Sequence, residues 1–304
     1  MPKSLLEAKG CSAIPFTPFT EDDRIDVDVL EKQIDWICKA GVTSIATPMM
    51  VSEFMALSEE ERKLMMRVPT EVTNGRVAVI ANVAAMSTAL AVEYTEYAEK
   101  IGADAVITMV PWAGSLDFPG AVSYFSAIAK ATSLPVIIQN TQLSSGFSVK
   151  LDDIVALCEM FPNVSWIKQE VPPAPVTLEQ LHMKMQKTDA IEGLISGFGS
   201  FYAPYDIAAG ANATISSCQF CDVIQRVWNL FFEGREEEAR TLHNKILPAL
   251  QAESLYGWKY GKEILVRRGI LKNSICRNLG GDLSPVAKKE IDYLYRLMEP
   301  LFLV

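Results

Sequence analysis

The chain has 304 residues, 49% of them hydrophobic, which is enough to bury the core of two ordinary domains or of one large α/β barrel. Its net charge of −9 is spread along the sequence, and no Lys/Arg block with interleaved aromatics occurs, so neither nucleic acid nor an anionic membrane is an expected partner. The apolar runs fall short of a membrane span, and the opening MPKSLLEAKG carries charges where a signal peptide needs an apolar core, so a cytoplasmic protein is expected.

From Gly10 onward, short β-branched apolar runs alternate about eight times with amphipathic stretches of helical period. The expected strands are Ser12–Phe16, Thr43–Thr47, Val77–Ala81, Ala105–Met109, Pro135–Gln139, Val164–Lys168, Ala190–Ile195 and Ala213–Ser216. Nearly all are apolar on both faces, the pattern of parallel strands covered by helices. Between them the period predicts helices over Val27–Ala40, Ser58–Thr73, Thr88–Ile101, Ala121–Ala131, Leu151–Phe161, Thr177–Gln186 and Asp222–Phe232. Ser58 with Glu61 reads as a capping box, and Gly41 and Gly102 stand where a helix-ending glycine belongs. Eight such units fit an α/β fold of the (β/α)8 TIM-barrel type over residues 1–234 better than an open sheet. Residues 235–304 have no strand signal and are expected to add three helices packed on the barrel.

Six scattered cysteines argue against a disulfide framework. Cys218 and Cys221 form a lone CxxC with only His182 and His243 elsewhere, so buried free thiols are expected and no metal site.

In a barrel, the chemistry lies at the C-terminal strand ends. Among the expected strands, only the sixth holds a Lys or Arg, namely Lys168. An ammonium group is expensive to bury, so a lysine there is either paired, with Glu170 or Glu192, or employed as a nucleophile on a ketone. Glu170 shares the extended face of Lys168 and is followed by Pro172 and Pro173, which makes it a candidate acid/base group. Glu192, read as lying inside the seventh strand, is a second buried carboxylate candidate. The backbone of Met49–Glu53, including Val51, and the Ser52 hydroxyl are candidates to cradle a substrate carboxylate. Thr17, Trp112, Gln139, Ser196 and Ser217 fall at other strand ends. The glycines of GLISGFG (Gly193, Gly197, Gly199) lack the context of a phosphate loop.

Taken together, these stretches resemble the dihydrodipicolinate synthase / N-acetylneuraminate lyase family of (β/α)8 class I lyases. The likeness shows in IPFTPF (Ile14–Phe19), SEF to LSEEER (Ser52–Arg62), GRVAVIANV (Gly75–Val83), GADAVITMVP (Gly102–Pro111), LPVIIQN (Leu134–Asn140) and WIKQE (Trp166–Glu170). The resemblance implies that Lys168 forms a Schiff base with a 2-keto acid, that Met50–Glu53 binds its carboxylate, and that no separate cofactor is needed. It also implies a homo-oligomer, tetramer or dimer. The sequence departs from the family pattern in four places: Gln139 replaces a tyrosine, Met49–Glu53 keeps only the glutamate of a GTTGE loop, Ala113 beside Trp112 replaces a second tyrosine, and Ser144 falls near an expected arginine.

Within the family, the L-2-keto-3-deoxyarabonate dehydratase-like branch is similar at Gln139, at Val51-Ser52-Glu53, at Lys168-Gln169-Glu170-Val171-Pro172 and at Asp189–Gly193. That similarity implies a hydro-lyase of a 2-keto-3-deoxy sugar acid. Lys168 would be the nucleophile, Glu170 the acid/base group and Gln139 its neighbour, with Ser196 and Ser217 near the substrate hydroxyls. A pyruvate-dependent aldolase and a non-catalytic sugar-acid-binding barrel are the alternatives.

Overall fold

The computed structural model describes residues 9–113, 116–142, 148–277 and 282–304. Its strands are β1 (Gly10–Ile14), β2 (Ser44–Thr47), β3 (Ala78–Asn82), β4 (Ala105–Thr108), β5 (Val136–Asn140), β6 (Val164–Gln169), β7 (Gly193–Ser196) and β8 (Ala213–Ser217). They pair in parallel in chain order and close β8 back onto β1, so the TIM barrel expected from the repeat is the fold observed. The helices between them are α1 (Val27–Lys39), α2 (Glu59–Thr73), α3 (Thr88–Lys100), α4 (Phe118–Lys130), α5 (Leu151–Met160), α6 (Ala174–Met185), α7 (Ala203–Ala208) and α8 (Cys221–Phe232). Two more follow the barrel, α9 (Glu236–Arg267) and α10 (Pro285–Met298). Gly257, at φ 65 and ψ −161, breaks α9 into two segments, so the tail runs as three helical pieces, as expected.

Hydrophobic patterning explains two concentric cores. Inward-facing Ile14, Ile80, Ile107, Ile137, Trp166 and Ile215 fill the barrel, while a larger shell packs the outward strand faces against the helices. The capping box forms as read: Ser58 Oγ accepts from the Glu61 amide and Glu61 Oε2 from the Ser58 amide. Gly41 and Gly102 adopt the left-handed φ that ends α1 and α3.

The differences have local causes. β1 stops at Ile14, because Pro15 has no N–H for the ladder. α4 starts three residues earlier than its period suggested, where Asp117 caps the Gly120 amide ahead of Pro119. Likewise α6 starts at Ala174, directly after Pro173. α7, which no periodicity predicted, is six residues long, too short to show a period. β7 begins at Gly193, which leaves Glu192 before the strand and exposed at the opposite end of the barrel from the strand C-termini. There Glu192 accepts from Ser165 Oγ at 3.1 Å and Trp166 Nε1 at 3.0 Å, so the reading of Glu192 as a buried carboxylate is overturned.

Cys11, Cys218 and Cys221 are free and buried. Burial pushes the Cys218 thiol up to about 12, which suits a packed thiol rather than a reactive one.

Candidate active site

A cavity of about 470 Å³ opens at the C-terminal ends of the strands. Its floor is Ile14 and Ile215, and its charged centre is Lys168 with Glu170. Register places them: Gln139 on β5 pairs with Lys168 on β6, and Lys168 with Ile195 on β7. Trp166, two residues before Lys168 on the same face, fills the barrel beneath the amine. Lys168 Nζ lies 2.6 Å from Glu170 Oε2, with the two side chains 4% and 15% exposed. Gln139 Nε2 donates to the same oxygen at 2.8 Å. One carboxylate oxygen therefore holds both the amine and the amide, which fixes the Glu170 carboxylate against the Lys168 ammonium.

Space for that carboxylate comes from a missing side chain. A Cβ on Gly197 would stand 2.1 Å from Glu170 Cγ and 2.3 Å from its Oε1. Gly193 similarly makes room for the Trp166 indole, at 2.3 Å. The two glycines set aside as a phosphate loop are packing solutions for the lysine strand. Phe198, Gly199 and Ser200 then follow with three successive left-handed φ values, and they turn the chain along the cavity rim.

The loop after β2 divides into lining and support. Met50 and Val51 line the cavity and open a short 3-10 turn, Met50–Ser52, whose first N–H groups the turn itself does not use. Ser52 is fully buried beneath it: its hydroxyl donates to the Pro15 carbonyl at 2.6 Å and accepts from the Met49 amide at 3.1 Å. Thr17 is also buried, donating to the Ser52 carbonyl at 2.6 Å. Glu53, at φ 58, is buried against Lys262 Nζ at 2.7 Å and accepts from the Arg277 amide at 2.8 Å. The side chains of Ser52, Thr17 and Glu53 thus hold the loop from behind, and direct substrate contact by the Ser52 hydroxyl is corrected to a supporting one.

Trp112 packs edge-on against Phe54, ring centroids 5.6 Å apart, beside Met50 rather than in the cavity wall. Ser196 is buried at the end of β7 and is not in the wall either. Ser217 lines the cavity, but its hydroxyl donates to Glu253 Oε2 at 2.7 Å. Ser144 lies outside the described residues.

Sequence reading missed Glu253 and Tyr202, which also line the cavity; Ser216, read as the end of the eighth strand, lines it as well. Glu253 comes from α9, far from any strand end, and no local pattern marks it. Burial raises its carboxyl above the usual carboxylate range, while hydrogen bonds from Ser217 and Gln219 pull it back.

The sequence model of the dihydrodipicolinate synthetase family matches residues 7–294. The chain belongs to that family. Its members are lyases that act on small-molecule keto acids through a covalent lysine Schiff base, with no external cofactor. Among curated relatives, a 4-hydroxy-tetrahydrodipicolinate synthase of Methanocaldococcus jannaschii is 29% identical over 80% of this chain and 82% of its own. Another from Bartonella quintana is 27% identical over 93% and 96%. The crystal structure of dihydrodipicolinate synthase from Rhodopseudomonas palustris shares the fold at TM-score 0.89 and 22% identity, covering 98% of this chain and 100% of that one. YagE, a prophage protein of the same family from E. coli K12 solved with pyruvate, superposes at TM-score 0.88 and 20% identity, covering 96% and 98%. These relatives bear the names of synthases or of the family, so the substrate of this member has to be argued from its own residues. No described helix is long and apolar enough to cross a membrane.

Proposed function

We propose that the protein is a Schiff-base hydro-lyase of a 2-keto-3-deoxy sugar acid, working in the cytoplasm as a homo-oligomer. The observation that carries this reading is the triad at one oxygen, with Glu170 Oε2 shared by Lys168 Nζ and Gln139 Nε2. Lys168 attacks the C2 ketone, and loss of water from the adduct leaves an iminium that acidifies the C3 protons. Glu170, already within hydrogen-bond reach of the amine, removes one C3 proton to give the enamine. It returns that proton to the C4 hydroxyl, which leaves as water. The product of that loss is an iminium conjugated to a C3=C4 double bond. A proton leaves C5 and one is taken up at C3, giving an enol that tautomerises to the C5 carbonyl, and hydrolysis of the iminium by water then frees Lys168 and the semialdehyde. The C1 carboxylate rests on the backbone amides of Met50 and Val51.

Gln139, where the family pattern has a tyrosine, holds Glu170 but has no acidic proton to relay. This supports a reaction run by one carboxylate rather than by the synthase relay.

Borohydride reduction with pyruvate or a 2-keto-3-deoxy acid is expected to leave a stable adduct on Lys168; an unmodified protein would end the Schiff-base reading. A dehydrated semialdehyde is the expected product, and Glu170→Gln is expected to slow its formation by ~10²–10⁴-fold. Free pyruvate as the main product, from a Glu170→Gln variant that stays active, would point to an aldolase. Measurable binding of keto acids with no adduct from any of them would point to a binding barrel.

A further inference from the structure

Beyond the reacting pair, the cavity wall holds one more carboxylate, Glu253 of α9. Its Oε2 accepts from Ser217 Oγ and Gln219 Nε2, both at 2.7 Å, which fixes the carboxyl in place. Its Oε1 has no hydrogen bond among the described residues. Ser216 lines the same cavity with a buried hydroxyl that also has no partner there. Among the described residues, the wall contains no arginine and no lysine besides Lys168. Once Lys168 is spent on the imine and Glu170 on the proton, the carboxyl left to meet the rest of a substrate is Glu253, beside neutral polar groups such as Ser216, Tyr202 and Thr141.

We propose that Glu253 is the specificity residue of this site: its free carboxylate oxygen accepts a hydrogen bond from a hydroxyl on the distal carbons of the substrate. It thereby selects 2-keto acids with a hydroxylated, uncharged tail and rejects those ending in a second carboxylate. The Ser216 hydroxyl, which can both donate and accept, suits a hydroxyl neighbour better than an ammonium. A site that leaves a buried polar group unpaired when the hydroxyl is missing discriminates strongly against the deoxy analogue. An anionic tail would meet Glu253 with no cation to offset it. This inference rests on the Schiff-base reading and assigns the part of the site that the nucleophile does not touch.

The test is borohydride trapping at Lys168 in the wild type, Glu253→Ala and Glu253→Gln, read by mass spectrometry as the concentration giving half-maximal adduct. The probes are a 2-keto-3-deoxy sugar acid, 2-oxopentanoate with its bare tail, and 2-oxoglutarate with its second carboxylate. The wild type is expected to favour the hydroxylated acid over 2-oxopentanoate by about 10- to 100-fold, the worth of a hydrogen bond to a charged group. Glu253→Ala should bring the two near parity. Glu253→Gln can still accept from Ser217 and Gln219 but turns an amide donor toward the cavity, so it should admit 2-oxoglutarate at lower concentration. It also carries the test should the alanine variant not fold. Identical preferences in the wild type and a folded variant, with trapping intact, would overturn the role of Glu253 and leave the Schiff base standing. A wild type that none of the probes labels would remove the Schiff base itself, and this inference with it.

Discussion

Asp206, in α7, is 2% exposed and its Oδ2 carries no hydrogen bond among the described residues. Burial pushes its carboxyl from the ordinary 3.8 up to about 6. Between those values the folded chain keeps a proton that the unfolded chain has lost, so stability falls as pH rises through that window. Above it the deficit is about 3 kcal/mol. Asp206→Asn removes the ionisation, and its melting temperature is expected to match the wild type near about pH 4 and to exceed it near about pH 8. A wild type that melts higher at the alkaline end would mean that the charge is compensated. Lys168 shows the contrary case at the same scale, a buried charge placed 2.6 Å from its opposite. Its position could be read from one line of sequence, because a single lysine interrupts strands that are otherwise free of Lys and Arg. Asp206 gave no such signal, since its burial is set by a six-residue helix that no periodicity reveals.

β7 and the turn after it show how one element serves another's chemistry. Gly193 and Gly197 are small because Trp166 on β6 and Glu170 just after it point at them, so the constraint on β7 and its turn is written in the neighbouring side chains. Gly197→Ala would put a methyl into the Glu170 carboxylate and push it off Lys168. With a displacement on the scale of 1 Å, the rate of substrate turnover is expected to fall by about 10²-fold. Because the clash is with one partly exposed side chain, circular dichroism and melting should stay close to the wild type. Unchanged kinetics would mean that Glu170 works from elsewhere. The loop after β2 behaves alike: the sequence marks it as a binding loop, but which of its groups face the cavity depends on the fold. Val51 lines the wall while Ser52 turns back to the Pro15 carbonyl.

Over the whole molecule, the C-terminal helices are built into the mouth of the barrel. Lys262 of α9 pairs with Glu53 with the two side chains 1% and 0% exposed, and its ammonium also donates to the Ile275 carbonyl. Arg277 grips Glu61 through two nitrogens and lies over the Phe19 ring. Arg268 binds the buried Asp222 and the carbonyl of Val304. His243 of α9 meets the Ser200 carbonyl on the rim. Removing one partner of a buried pair strands the other charge, so Lys262→Met is expected to cost about 3–5 kcal/mol in denaturant unfolding. The double variant Glu53→Gln with Lys262→Met should recover much of that loss, since neither charge is left alone. A single variant as stable as the wild type would show that the pair does not hold the tail to the loop.

The amino-acid sequence by itself determined the eightfold βα repeat, the strand that bears the lysine, the helix caps and the family, because each is written within a few residues as periodicity, capping chemistry or a short motif. The tertiary structure alone decided which groups meet. Glu53 finds Lys262 across 209 positions, Ser217 finds Glu253 across 36, and Gly197 is defined by the carboxylate it admits. Those encounters depend on how helices pack around a closed sheet, and packing is a property of surfaces brought together from distant parts of the chain.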